Sequence, residues 1–290
     1  MASVFSTEEA RRYTRWLATR HYENFHVVTF LLPRHLRQDF YNVYAFCRWA
    51  DDLGDEIGDA EESLRLLGWW RGEIDAMYAG QARHPVFVAL KETVVRYNLP
   101  KGPFVDLVRA FVQDQTVKRY NNWDELFDYC DHSANPVGRL VLYLCGYRDG
   151  ARQALSDATC TALQLTNFWQ DIPEDLKKGR IYIPLDAMER YGYTEEDLAA
   201  GRESPAFRAV MREIVGIARE LFERGLPLAN KVNRRLAVDI DLFSRGGMRI
   251  LEKIEAQDYN VLRQRPTVTK SERFGLLLAA LGRLVFPEPA

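Results

Sequence analysis

The sequence predicts an all-α fold, and three observations support that prediction. Alternating runs of β-branched residues are rare and Asn-Gly hairpin turns are absent, so there is little sign of strands. Long stretches carry apolar residues at helical spacing. Pairs of residues typical of helix N-termini recur along the chain: Ser6 with Glu9, Asp59 with Glu62, Asn122 with Glu125, and Thr194 with Asp197.

The helical stretches follow one another with short breaks. They are expected at about 34–55, 60–79, 101–117, 122–146, 150–176, 204–230 and 232–264. Ser204-Pro205 has the order of an N-cap followed by proline at the first helical position. Because no low-complexity linker or short repeat interrupts the chain, residues 1–290 are expected to form a single helical domain.

Composition places the chain among globular proteins and excludes some partners. Hydrophobic residues make up 47% of the 290 residues and charged residues 28%, which is typical of a folded domain. The net charge of −2 gives no general attraction to nucleic acid. The four cysteines lack zinc-site or CxxC spacing, which favours free thiols in a reducing compartment over disulfides.

The two ends of the sequence bear on location. The opening "MASVFSTEEARRY" lacks the apolar centre of a signal peptide, and no apolar run is long enough to span a membrane. A cytoplasmic location is therefore expected. The segment Phe274 to Phe286 predicts a short amphipathic helix with two open interpretations: it packs on the bundle, or it makes a peripheral contact with the inner membrane.

Two helical stretches place acidic side chains where an apolar stripe should continue. The first stripe holds Tyr44, Arg48, Asp51, Asp52 and Asp55, and the second holds Gln164, Asn167, Phe168, Asp171 and Asp175. If the two helices packed together, their carboxylates would repel one another around one cavity. Mg²⁺ removes that conflict and is commonly held by carboxylates together with substrate phosphates. The pattern therefore predicts a diphosphate held through magnesium.

Two alternatives to a magnesium site are open. A solvated acidic face is the plainer interpretation, but aromatic neighbours such as Phe46, Trp49 and Trp169 are unusual on a wet surface. A calcium loop is less consistent, because neither segment has the glycine-centred spacing of such loops.

The end of the second stripe has two further features. Pro173 is expected to kink the helix between Asp171 and Asp175. Lys177, Lys178 and Arg180 follow, and they could bind phosphate oxygens or simply favour a helix C-terminus.

The quoted motifs resemble those of the squalene/phytoene synthase family. "YAFCRWADDLGD" is similar to the first aspartate motif of that family, and "QLTNFWQDIPEDLKKGRIYIP" is similar to the second. "LLPRHLRQDFYNVYAFCR" and the spacing of Tyr129, Cys130, Val137 and Gly138 extend the resemblance over about residues 15–265.

The resemblance implies a fold, a reaction and a set of site residues. The fold would be an isoprenoid synthase-type helical bundle around a central apolar cavity, with three Mg²⁺ ions on the substrate diphosphate. The implied magnesium ligands are Asp51, Asp55, Asn167, Asp171 and Asp175. Catalytic roles are expected for Asp51, Asp55, Asp171, Asp175 and Tyr44. The implied substrate-binding residues are His21, Phe25, Arg48, Tyr129, Gln164, Asn167, Lys177, Arg180 and Tyr182.

Three departures from the common family pattern resemble the hydroxysqualene synthase branch. They are "HYENFHVVTFLLP" after the early histidine, Gln170 before the first aspartate of the second motif, and "YCDHSANPVG". The branch implies that presqualene diphosphate is ionised, rearranged and captured by water without NADPH. Glu23, Asn24 and His132 are candidates for orienting that water. The alternative within the family is a transferase that joins two prenyl diphosphates to presqualene diphosphate, squalene or phytoene. A non-enzymatic assembly factor is disfavoured, because the acidic motifs are intact.

Overall fold

The chain folds into α-helices joined by short loops. The structure, a computed structural model, describes residues 5–20 and 33–285, with side chains described as far as residue 282. The described residues contain no strand, which confirms the predicted all-α class. None of the described helices combines the length and apolarity needed to cross a bilayer.

The described helices, in chain order, are α1 (Thr7–Arg20), α2 (Arg37–Asp55), α3 (Ala60–Tyr78), α4 (Pro85–Tyr97), α5 (Gly102–Thr116), α6 (Trp123–Ser133), α7 (Asn135–Leu144), α8 (Gly150–Gln170), α9 (Ile172–Lys177), α10 (Leu185–Arg190), α11 (Glu195–Ala199), α12 (Pro205–Gly225), α13 (Arg234–Ala256) and α14 (Lys270–Val285). A 3-10 helix, Leu226–Lys231, lies between α12 and α13.

Backbone contacts divide the chain into two compact units. The first comprises Met1–Thr116 and His132–Gln153, and the second comprises Val117–Asp131 and Ala154–Ala290. The expectation of a single domain over residues 1–290 remains a prediction.

The predicted helix starts are largely confirmed by their hydrogen bonds. The side chains of Asp59 and Ser204 accept from backbone N–H groups in the first turns of α3 and α12. Thr194 and Asp197 form the predicted reciprocal capping box on α11. At α6, Asn122 accepts from the Glu125 N–H as predicted, but the Glu125 carboxylate binds Asn121 instead of reaching back to Asn122.

Two predicted stretches are each broken into two helices by proline. The stretch at 122–146 becomes α6 and α7, because Pro136 lacks an N–H and stands in the first turn of α7. The stretch at 150–176 becomes α8 and α9, because the chain leaves helical geometry at Asp171, two residues before Pro173. The predicted kink is thus a full break. The helix α4 was missed, although its Pro85 stands at a favourable first position.

The first unit has an aromatic core. Phe46 on α2 lies 5.1 Å from Phe104 on α5 and 5.8 Å from Trp70 on α3, measured between ring centroids. Phe87 on α4 lies 4.5 Å from Trp70, and none of these four rings is exposed. Burial of such rings is a large source of stability, and it fixes the face of α2 opposite to its acids.

Polar side chains on α2 are satisfied inside the first unit. Asn42, which is 1% exposed, donates to the hydroxyl of Thr93 and the carbonyl of Ala89. Asp39, also 1% exposed, accepts from Thr93 and from Arg96 on α4. These contacts fix α2 on α4, because buried polar groups left without partners are costly.

Two glycines allow close helix packing in the second unit. A Cβ on Gly225, at the end of α12, would collide with Thr159 and lie 3.1 Å from the Leu155 carbonyl oxygen on α8. A Cβ on Gly247 of α13 would collide with the ring of Phe222 and lie 3.1 Å from Leu163. The helix that carries the second acidic motif is therefore packed closely against α12 and α13.

Candidate active site

The first acidic motif lies at the C-terminal end of α2, in the first unit. Its position is fixed by contacts with α5: Gln115 donates to the carbonyl oxygen of Gly54 at 2.9 Å, and a Cβ on Gly54 would lie 3.2 Å from the Phe111 ring. Asp51 and Asp52 are partly exposed, and Asp55, the last residue of α2, is exposed.

Arg48 lies among the acids of the first motif. Its guanidinium forms a close ion pair with Asp52, lies 3.4 Å from Asp51 and lies 3.8 Å from Glu56. The predicted substrate-binding arginine therefore neutralises the motif from within its own helix.

Two ionisation shifts reflect this crowding. The pKa of Asp51 is raised by partial burial, and the negative charges of Asp55, Asp52 and Glu56 raise it further while Arg48 opposes them. The pKa of Tyr44 is also raised by burial, partly offset by Arg48. A divalent cation would favour the ionised form of these acids.

The second acidic motif lies where α8 ends, in the second unit. The N–H of Asp171 still donates to the Asn167 carbonyl at 2.9 Å, but Asp171 itself has left helical geometry and starts α9, whose Asp175 N–H donates to the Asp171 carbonyl. Asn167 donates from Nδ2 to Asp171 Oδ2 at 2.7 Å. Gln164 lies one turn earlier on α8, half-buried.

Asp171 has a partner that the sequence did not predict. Arg265, in the segment after α13, forms a two-pronged ion pair with both oxygens of the Asp171 carboxylate; its Nη2 lies 3.1 Å from Oδ2. The neighbouring Gln170 is buried and donates to the carbonyl oxygen of Pro266 at 2.5 Å. No periodic signal in the sequence marks Arg265, because its segment is irregular.

The basic residues Lys177, Lys178 and Arg180 lie at the end of α9 and in the braced loop that follows it. The N–H of Arg180 donates to the Asp175 carbonyl, and Gly179 has a φ of 70°, which suits glycine. Arg119 donates to the carbonyl oxygen of Gly179 at 2.6 Å, so it holds the loop from outside. Lys177 forms an exposed ion pair with Glu174 at 2.7 Å.

Two predicted site residues, Tyr129 and Tyr182, belong to one buried aromatic cluster in the second unit. Tyr182 stacks on Phe168 and lies 5.9 Å from Tyr129 and 5.8 Å from Tyr120, measured between ring centroids. Tyr129 and Phe168 are each 4% exposed, and Tyr182 is 8% exposed. The cluster thus joins residues from α6, from α8 and from the segment after α9.

The donor chemistry of both motifs suits a hard cation, since carboxylate and amide oxygens are the ligands that Mg²⁺ prefers. In the described parts of the chain, however, no three His, Cys, Asp or Glu side chains are gathered closely enough to hold a metal ion. Arginine side chains pair with the acids instead: Arg48 in the first motif and Arg265 in the second. The magnesium ligands remain a prediction.

Some predicted residues fall elsewhere. His21 and Phe25 lie outside the described residues, as do Glu23 and Asn24. His132, near the end of α6, has its Nε2 2.9 Å from Arg109 Nη1. Because a guanidinium can only donate, this ring nitrogen is the acceptor. The four cysteines are free thiols, as expected.

Comparison with known proteins identifies the family. The family model described as squalene/phytoene synthase matches residues 18–272, which span both compact units. The chain belongs to the squalene/phytoene synthase family, whose members are enzymes that process prenyl diphosphates. This confirms the resemblance seen in the aspartate motifs and the isoprenoid synthase-type fold.

Individual relatives cover most of the chain. The solved structure of squalene synthase HpnC from Alicyclobacillus acidocaldarius is 45% identical with a TM-score of 0.84, covering 88% of this chain and 96% of that one. The phytoene synthase of Thermus thermophilus is 33% identical over 271 residues, or 92% of this chain and 91% of the relative. The 15-cis-phytoene synthase of Synechocystis is 31% identical over 278 residues, or 91% of this chain and 82% of the relative.

Proposed function

We propose that this protein is a hydroxysqualene synthase. The reaction is the magnesium-dependent ionisation of presqualene diphosphate, rearrangement of the carbocation and capture by water, which yields hydroxysqualene and diphosphate without NADPH. The observation that supports this best is the 45% identity to a squalene synthase over most of both chains, above the 31–33% shared with the two phytoene synthases described above. The three sequence departures at "HYENF", Gln170 and "YCDHSANPVG" point in the same direction.

Four acids and one amide from the two motifs are the proposed magnesium ligands: Asp51, Asp55, Asp171 and Asp175, with Asn167. When bound, the metal ions would stabilise the negative charge that develops on the leaving diphosphate. Arg180 lies in the loop that Arg119 braces, and we expect its guanidinium to bind a phosphate oxygen. Lys177 would have to leave its exposed pair with Glu174, which is a weak interaction.

Aromatic residues are proposed to stabilise the carbocation. The π-faces of aromatic rings attract positive charge, and the burial of Phe168, Tyr129 and Tyr182 keeps bulk water away from them. A single oriented water could then react without general hydrolysis. His132 is a candidate for orienting it through Nδ1, because Nε2 accepts from Arg109.

The second candidate is a transferase that condenses two prenyl diphosphates, as in presqualene diphosphate, squalene or phytoene synthases. The specific observation in its favour is that curated relatives covering about 90% of the chain are phytoene synthases. The magnesium and diphosphate residues would be the same in both candidates.

Product analysis distinguishes the candidates. The purified protein is incubated with Mg²⁺ and no NADPH, either with presqualene diphosphate or with farnesyl diphosphate, and products are identified by mass spectrometry. Hydroxysqualene from presqualene diphosphate is the expected result. Unchanged presqualene diphosphate with consumption of farnesyl diphosphate would instead establish the transferase.

A peripheral membrane contact completes the proposal. On α14, Phe274 is 62% exposed and Leu278, one turn further, is 53% exposed, while Lys270 stands one turn before them on the same face. The opposite face is held on α13 by Glu272, which pairs with Arg249 and Lys253 at 2.9 Å each. A cation followed by apolar residues on one exposed face suits an anionic lipid surface.

The contact is tested with vesicles that contain anionic phospholipid. Binding of the wild-type protein should fall in Phe274→Ser/Leu278→Ser, and Val95→Ser on α4 is the control because Val95 is 73% exposed on the other compact unit. Equal binding of all three proteins would exclude this face.

A further inference from the structure

The segment that follows α13 is attached to the end of α8 at two successive residues. Gln170 donates to the Pro266 carbonyl oxygen, and Asp171 accepts from the Arg265 side chain. The two pairs differ in kind. The first is a buried bond to the main chain, whereas the second joins two charged side chains that are 19% exposed for Asp171 and 48% exposed for Arg265.

Both oxygens of the Asp171 carboxylate accept hydrogen bonds from neighbouring side chains. Arg265 binds both oxygens through Nε and Nη2, and Asn167 Nδ2 donates to Oδ2 as well. The two parallel N–H groups of a guanidinium match the spacing of the two carboxylate oxygens. They therefore cover the edge of the carboxylate that accepts hydrogen bonds. A divalent cation at Asp171 would meet the positive charge of the guanidinium at short range.

We propose that Arg265 binds Asp171 in the metal-free protein, and that a divalent cation binds Asp171 only after this ion pair opens. Arg265 thereby lowers the affinity of the protein for free metal. This inference rests on the proposed role of Asp171 as a metal ligand, and it concerns the step before substrate reacts.

The hydrogen bond from Gln170 to the main chain of Pro266 confines this opening to the Arg265 side chain. Because Gln170 holds the Pro266 carbonyl, the backbone of the segment stays in place while the Arg265 side chain rotates away. Arg48 in the first motif differs, since it shares a helix with its acids, whereas Arg265 is 94 residues from Asp171 in sequence.

The test is a titration with Mn²⁺ alone, followed by electron paramagnetic resonance of the free ion. Mn²⁺ has the oxygen-ligand preference of Mg²⁺. Arg265→Gln should bind Mn²⁺ about twofold to fivefold more tightly than the wild type, in keeping with loss of one partly exposed ion pair. Arg265→Lys, which keeps the charge but not the fork, should lie between them. Arg263→Gln is the matched control, because its side chain is 80% exposed and should leave the affinity unchanged.

Each outcome is informative. Equal or weaker Mn²⁺ binding by Arg265→Gln overturns the inference, and so does the absence of binding by every variant up to millimolar Mn²⁺. If Asp171→Asn does not weaken binding in the Arg265→Gln background, the proposed metal role of Asp171 fails instead. Thermal unfolding checks that each variant folds. Should Arg265→Gln not fold, Arg265→Lys must still bind Mn²⁺ more tightly than the wild type.

Discussion

The phenol ring of Tyr182 lies face to face with the phenyl ring of Phe168, with centroids 3.7 Å apart and planes inclined by 6°. Tyr182 follows α9 and Phe168 belongs to α8, so this contact ties the loop containing Arg180 to the helix that carries Asn167 and ends just before Asp171. The acidic motif and the basic loop are thus parts of one packed structure in the second unit.

Tyr182→Ala should reduce the free energy of unfolding by about 3 kcal/mol, since it leaves a cavity against Phe168. Tyr182→Phe keeps the ring and should cost about 1 kcal/mol or less. Urea unfolding of both variants measures the difference. Equal losses would mean that the hydroxyl group, and not the stacked ring, holds the loop.

Adjacent glycines on α13 should respond in opposite directions. Gly247→Ala should destabilise by about 1–3 kcal/mol, because its Cβ collides with Phe222. Gly246→Ala meets no atom within 4 Å and should stabilise by up to about 1 kcal/mol through helix propensity. Thermal or urea unfolding provides the comparison. A stable Gly247→Ala variant would contradict the close packing of α13 on α12.

Asp239 on α13 should make stability depend on pH. It is 3% exposed, neither carboxylate oxygen has a hydrogen-bond partner among the described residues, and burial raises its pKa to about 8. The folded protein therefore holds a proton that the unfolded chain releases near its ordinary pKa, so the contribution of Asp239 is greatest below about pH 4 and falls as pH rises towards 8.

The test compares the stabilities of variants at two aspartates of α13, Asp239 and Asp241. Asp239→Asn removes the titration, so its stability relative to the wild type should improve between pH 5 and pH 8. Asp241 pairs with Arg245 at 2.7 Å, and Asp241→Asn should lack this trend. Urea unfolding at both pH values checks it; parallel curves for wild type and Asp239→Asn would refute the assignment.

The motif acids should differ in their effect on catalysis. Asp51→Asn and Asp171→Asn should each lower the rate of diphosphate release by about a hundredfold or more, because the developing charge loses its metal-based stabilisation. Asp52→Asn should have a smaller effect, since Asp52 pairs with Arg48 and is not a proposed ligand. A coupled diphosphate assay measures all three. Full activity in Asp51→Asn and Asp171→Asn would argue against an enzyme that uses these motifs.

His132→Leu should change the product more than the rate. Removal of the ring takes away a polar group proposed to orient water, so the alcohol should decline relative to hydrocarbon or other quenched products. His132→Gln, which can still donate and accept, is the conservative comparison. Mass spectrometry gives the product ratio. A constant ratio in both variants would assign His132 a structural role that includes its contact with Arg109.

Features that depend on a local physical rule can be predicted from the sequence. N-caps at Asp59, Thr194 and Ser204 were predicted correctly, because a cap is decided by residues within one turn. The sequence predicts a kink, whereas the structure has a full break at Asp171. A proline alone does not determine whether the helix continues beyond it or a new helix begins. Arg265 was missed because its partner is distant in sequence and its own segment is irregular.

The two attachments at residues 170 and 171 impose different demands on the chain opposite them. The amide of Gln170 contacts only a main-chain carbonyl oxygen, which every amino acid has. Replacement of Pro266 by another residue therefore need not break this hydrogen bond. The carboxylate of Asp171 binds a guanidinium group, which only arginine has. Substitution of Pro266 should therefore leave its hydrogen bond intact, whereas substitution of the neighbouring Arg265 changes the net charge beside Asp171.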